Sequence, residues 1–317
     1  MPKSRTEALL ARMEGRPWLT DGGLETAMIF LEGLDLPQFA SFTLLDDARG
    51  RERMAAYFNG FMDEAERLGA GFVLDTATWR SSDGWGAVMG LSPAEIDRIN
   101  RAAVDFALSL KAARPDGGRN VIVNGVLGPQ GDAYAPDRVL TEAEAEAYWR
   151  PQIASLAAAG AEMVTAVTMS DPAQGIGIAR AARALGIPAA IGFTVETDGR
   201  LVSGMELGEA ILRTEEATDG YPAWFMINCA HPSHFRQALK GDWVKRIGAI
   251  RANASTRSHA ELDEATELDI GDIEGLARDY AGLQAILPNL RVLGGCCGTD
   301  HRHVAAIGRA CIHHHAA

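Results

Sequence analysis

The chain has 317 residues, with 30 lysine plus arginine against 42 aspartate plus glutamate, for a formal net charge of −12. An acidic chain of this kind is repelled by phosphate backbones, which argues against nucleic acid as a partner and suits a small cationic ligand better. A hydrophobic content of 47% is ordinary for a globular protein. The start of the chain has no apolar core for a signal peptide, and no stretch approaches the ~20 apolar residues of a membrane span.

In chain order, short apolar runs at 18–21, 72–76, 121–126, 163–167, 189–193, 224–228, 246–250 and 292–295 predict eight strands. Amphipathic stretches of helical length alternate with them at 52–69, 93–113, 142–158, 172–185, 207–217, 232–240, 272–286 and 301–311. Several helix starts carry a mechanism. Ser92-Pro93-Ala94-Glu95 reads as a capping box with proline at the first helical position, Thr141 with Glu144 as a second box, and Asp171-Pro172 as a cap followed by proline. Gly160, Gly186 and Gly282 fall where helices are expected to end. The polar segment 251–271 has no period and reads as a long loop after the seventh strand.

Strand and helix in alternation imply a parallel sheet, and eight units predict an α/β fold, a single (β/α)8 TIM barrel spanning 1–317 as one domain. The rival is a doubly wound open sheet of about six strands. The segment after the first strand, Asp21-Gly22-Gly23-Leu24-Glu25-Thr26, lacks the glycine spacing of a dinucleotide-binding turn, which favours the barrel.

The four cysteines are Cys229, Cys296, Cys297 and Cys311. Adjacent cysteines rarely join in a disulfide, so a cytoplasmic chain with reduced thiols is the expectation. Chemistry in a barrel sits where strands end. Cys229 follows the sixth strand, and Cys296 and Cys297 follow the eighth, so three thiols reach one rim. Three thiolates suit a zinc ion and leave one tetrahedral position open. The glycines of Gly294-Gly295-Cys296-Cys297-Gly298 would let two adjacent residues bend onto one ion. Spacing alone leaves a second reading, in which the cysteines are small buried core residues. Cys311 reads as a core thiol on the last helix. His231, His234, His301 and His303 read as helix-start residues, and His313 to His315 as a solvated tail.

These motifs resemble the homocysteine S-methyltransferases, the betaine- and S-methylmethionine-dependent enzymes among them. The resemblance runs over nearly the whole chain. It is carried by Asp21-Gly22-Gly23-Leu24-Glu25-Thr26, Asn228-Cys229 and Gly294-Gly295-Cys296-Cys297-Gly298-Thr299, with Gly128-Pro129-x-Gly131 and Gly192-Phe193-Thr194-Val195 in support. It implies a barrel with zinc on Cys229, Cys296 and Cys297, and an Asp21-Gly22-Gly23 segment that binds the amino-acid end of homocysteine. Asp21 would accept from the ammonium group and the glycine N–H groups would hold the carboxylate. There are departures. Thr168 stands where the family has a glutamate that helps hold the ammonium, Thr76-Ala77-Thr78-Trp79 differs at the second strand, and 251–264 fits the family poorly.

The expected activity is methyl transfer from a small sulfonium or quaternary ammonium donor to a thiol such as homocysteine, giving methionine. Trp79 would lie against the cationic donor. Substrate contacts are thus expected from Asp21, Gly22, Gly23, Trp79 and Thr168. The expected partners are a small-molecule thiol and a methyl donor, with neither nucleic acid nor membrane. Three alternatives stay open: a thiol-binding subunit that takes its methyl group from a separate corrinoid or donor protein, a demethylase of onium compounds with another thiol as methyl sink, and a metal-free redox or regulatory thiol protein.

Overall fold

The computed structural model describes residues 4–136 and 138–312. Eight parallel strands pair in chain order and close on themselves: β1 (Trp18–Leu19), β2 (Gly71–Asp75), β3 (Val121–Leu127), β4 (Met163–Met169), β5 (Ala189–Phe193), β6 (Trp224–Asn228), β7 (Ile247–Ala252) and β8 (Val292–Gly295), which returns to β1. This is the expected (β/α)8 barrel. Helices stand where the periodicity put them, among them Ala48–Arg67, Pro93–Ala112, Glu142–Ala159, Pro172–Leu185, Leu207–Ala217 and His301–Ile312. Ser92 and Thr141 form the two capping boxes, and Asp171 caps its helix with proline at the first turn. Gly160 and Gly186 end their helices in the left-handed conformation.

The differences have local causes. Gly282 lies inside the helix Ile273–Gln284, where a Cβ would meet the Arg236 guanidinium at 2.9 Å, so close packing explains this glycine better than a cap. Arg251 and Ala252 belong to β7, and a short helix, His259–Asp263, interrupts the loop behind a Ser258–Glu261 capping box. The helix at 232–240 is shorter than expected: Pro232–Phe235 continues only as a 3₁₀ turn, Arg236–Ala238. A helix at Arg5–Met13, headed by a capping box on Ser4 and Glu7, was not foreseen. His313 to His315 lie outside the described residues.

Two apolar clusters build the body. The larger packs the outer strand faces against the helices. The smaller fills the barrel lumen with Trp18, Val73, Ile122, Val126, Met163, Val167, Trp224, Met226 and Val292. Leu9 and Met13 of the first helix join that cluster, and Met13 O accepts from Trp18 Nε1 at 3.2 Å. This helix also lies against the start of β3, where Arg12 donates to Val121 O. It therefore plugs the end where strands begin and leaves the opposite rim open. Val126 and Val167, the upper part of the lumen packing, form the floor of a pocket at that rim. Among the described residues no helix is long and apolar enough to cross a membrane.

Candidate active site

The pocket at the C-terminal rim has a volume of about 260 Å³ and contains all eight residues singled out from the sequence: Asp21, Gly22, Gly23, Trp79, Thr168, Cys229, Cys296 and Cys297. The three thiols lie within 4.8 Å of one another, with Cys229 Sγ and Cys297 Sγ 3.7 Å apart. A tetrahedral zinc ion with Zn–S bonds of ≈2.3 Å sets its sulfurs roughly 3.8 Å apart, so the spacing and the donor set both fit that ion. Among the described residues this is the one cluster of potential ligands with such spacing. Hydrogen bonds from Cys229 and Cys297, followed by the positive charge of Arg251, hold the Cys296 thiol well below the ordinary range.

Close approach between the first and last loops explains the glycines. Gly23 N donates to Thr299 O at 3.1 Å, and Gly295 N donates to Asp21 O at 2.9 Å. A Cβ on Gly23 would lie 2.8 Å from Cys296 O, and one on Gly295 would lie 2.0 Å from Thr299 Oγ1. The two motifs recognised separately in the sequence are thus two sides of one interlock, and any side chain there would push the Cys296–Cys297 loop away.

Strain marks the other side of the rim. Thr168 (φ 69°) and Cys229 (φ 56°) both occupy the left-handed region, which costs a non-glycine residue on the order of 1–3 kcal/mol. Asn228 holds Thr168 there. Its Oδ1 accepts from Thr168 N at 3.0 Å and its Nδ2 donates to Thr168 Oγ1 at 2.9 Å. The bridge spans β5, where a Cβ on Gly192 would lie 2.8 Å from Asn228 Oδ1. The Cys229 carbonyl accepts from Asn253 Nδ2 at 3.0 Å and also meets His259 Nε2, which fixes the turned backbone that presents the thiol. His259 in turn stacks on Tyr134 with ring centroids 3.6 Å apart, so the β3 and β7 loops meet over Cys229.

Several pocket residues were not foreseen. Arg251, at the end of β7, is buried and donates to Asp21 Oδ1 at 2.6 Å, to Asp75, and to the carbonyls of Gly22 and Gly295. Asp21 also accepts from Thr20 at 2.9 Å and from Tyr57 at 3.1 Å. Burial pushes the Asp21 carboxyl up to about 7, against the pull of Arg251. The Arg80 guanidinium carbon packs against two indoles, 3.9 Å from the ring centroids of both Trp79 and Trp85. Trp79 therefore already carries a cation of the protein's own against its ring. The sequence signal for Arg251, Asp75 and Arg80 was their position at or just beyond strand ends, and Tyr57, inside the helix Ala48–Arg67, carried none.

Residues 18–311 match a family model described as Homocysteine S-methyltransferase. Among solved structures, the chain is similar to the homocysteine methyltransferase MmuM from Escherichia coli. The oxidized form is 21% identical with a TM-score of 0.75, covering 97% of this chain and 99% of that one. The metallated form is also 21% identical, with a TM-score of 0.73, covering 96% and 99%. A methyltransferase from Methanosarcina mazei is 11% identical with a TM-score of 0.52 over the full length of both chains. At these identities the structures speak to the fold.

Proposed function

The chain belongs to the homocysteine S-methyltransferase family, and from that premise we propose that it is a zinc-dependent enzyme moving a methyl group from a small sulfonium or quaternary ammonium donor to a thiol such as homocysteine, giving methionine. The observation that carries the reading is the three-cysteine cluster, all sulfurs within 4.8 Å of one another, opening onto a small pocket. Cys229, Cys296 and Cys297 would hold the ion. Bound zinc supplies Lewis acidity that favours the ionised form of an acceptor thiol. The protein's own part is orientation and exclusion of water. Asp21, Gly22, Gly23, Trp79 and Thr168 form the walls that seat the reactants, and Tyr134 with His259 roofs the thiol side. The acceptor sulfur forms its bond to the methyl carbon as the bond from that carbon to the onium centre breaks, and the thiol proton is released. The acidic pocket suits a cationic donor: Asp21, Glu25, Asp75, Asp132 and Asp263 face only Arg80 and Arg251. A reduced cytoplasmic setting would keep the thiols available.

The test is a matrix of methyl donors and thiol acceptors assayed by mass spectrometry on the purified, zinc-loaded chain, with elemental analysis alongside. The expected result is about one zinc per chain and methylation of at least one thiol without a second protein. Cys297→Ala should lose both zinc and transfer, and a variant that keeps both overturns this mechanism.

A further inference from the structure

The residues expected to grip the acceptor's charged end are largely committed elsewhere. Both Asp21 oxygens are engaged, by Arg251 and Thr20 on one side and Tyr57 on the other. Gly23 N–H is given to Thr299 O. Of the other charged side chains lining the same pocket, Asp75 and Arg251 pair with each other, Asp132 and Asp263 are exposed, and Glu25 and Arg80 are half-buried with capacity to spare. Glu25, two residues beyond the interlock with Cys296, has a carboxylate oxygen taken by Ser41 Oγ at 2.7 Å, and burial raises its pKa. Arg80 has its guanidinium carbon 3.9 Å from the ring centroids of two indoles, a weak bond from Nη1 to Gly131 O at 3.3 Å, and a buried Nε with no protein partner. Burial lowers Arg80 only to about 10, so it stays charged at neutral pH. Glu25 and Arg80 feel each other electrostatically, yet among the described residues no ion pair within 4.0 Å joins either to an opposite charge.

A carboxylate and a flat guanidinium that share a pocket without touching suit a ligand carrying both charges. A guanidinium packed against indoles keeps its N–H edge for a ligand, and that edge can bind a carboxylate through two parallel bonds. We propose that Glu25 and Arg80 select an amino-acid acceptor, Glu25 taking its ammonium group and Arg80 its carboxylate. The assignment rests on the pocket being the seat of the thiol acceptor. It places the discriminating carboxylate on the β1 loop, while β4 offers the neutral Thr168.

The test is equilibrium binding by calorimetry, independent of turnover, using methionine, 4-(methylthio)butanoate, which lacks the ammonium group, and 3-(methylthio)propylamine, which lacks the carboxylate. The wild-type chain should bind methionine about tenfold or more tightly than either analogue, because a polar group built to meet a ligand charge rejects the ligand lacking it. Glu25→Gln should abolish the preference over the butanoate and keep the preference over the amine. Arg80→Met should do the reverse, and Arg80→Lys, which keeps the charge and guards against misfolding, should restore part of it. Wild-type protein with no preference for methionine, or variants that weaken all three ligands equally, overturn the proposal. Thiol methylation by the wild-type chain would then leave the enzymatic reading standing, whereas failure to methylate any thiol counts against that reading alone.

Discussion

Arg251 binds two buried carboxylates at once, so removing it is far more damaging than removing the whole cluster. Arg251→Met should destabilise the chain by about 3–5 kcal/mol in urea unfolding, because Asp21 and Asp75 lose the charge that compensates their burial. Adding Asp21→Asn and Asp75→Asn to that variant should recover much of the loss. Cys311 is a contrasting thiol. Burial pushes it up to about 12, and it is fully enclosed on the last helix. Native protein should therefore resist alkylation there at pH 8 and become labelled at Cys311 only in denaturant, as peptide mass mapping will show. At this scale the sequence was legible where residue type and position coincided. Three cysteines at strand ends mean a shared rim. Arg251 was illegible for a physical reason: a charge at the edge of an apolar run looks like the start of a loop, and the carboxylates that permit its burial come from β2 and the loop after β1.

Helices were read well where their ends carry chemistry. The boxes at Ser92 and Thr141 and the glycine stops at Gly160 and Gly186 name their own boundaries. The same signal sat unread at Ser4–Glu7 and Ser258–Glu261, because the helices behind it are short, nine and five residues. The last helix carries a testable device. Asp300 stands between the ligand loop and His301–Ile312, and its carboxylate accepts from the backbone of Arg302 at 2.9 Å and from the Arg302 guanidinium at 2.6 Å. Against a desolvation that would raise it, hydrogen bonds from His303 and Arg302 hold this carboxyl well below its usual 3.8. A carboxyl held low in the folded chain adds stability that is in place above the unfolded value and is lost as pH falls through it toward the folded one. Asp300→Asn, which keeps an acceptor oxygen but loses the charge that Arg302 donates to, should thus cost about 1 kcal/mol at pH 7, and the gap between the two proteins should shrink as denaturation is repeated below pH 4.

The barrel as a whole was legible from a count of eight alternating units, since a parallel sheet with that many crossovers closes readily on itself. What alternation cannot convey is how the ends of the ring are plugged, and here the first helix seals one end while loops roof the other. The body stands on two packed clusters that include none of Cys229, Cys296 and Cys297. With zinc on these thiols as proposed, its chelation should therefore leave the far-ultraviolet circular dichroism unchanged and lower the thermal midpoint without unfolding the chain at 25 °C, the modest shift expected when a ligand of the native state is withdrawn. The interlock between Gly23, Asp21, Gly295 and Thr299 has one more consequence, and it concerns biosynthesis. The strand that opens the ring emerges first and its partner nearly last, so throughout translation the growing sheet carries open edges and no complete set of thiols. Closure of the ring and assembly of the ligand set are the same event. A nascent chain stalled before Cys296 would be exposed to edge-to-edge association and unable to bring its three rim thiols together, while a chain that has gathered them has, by that fact, finished folding its barrel.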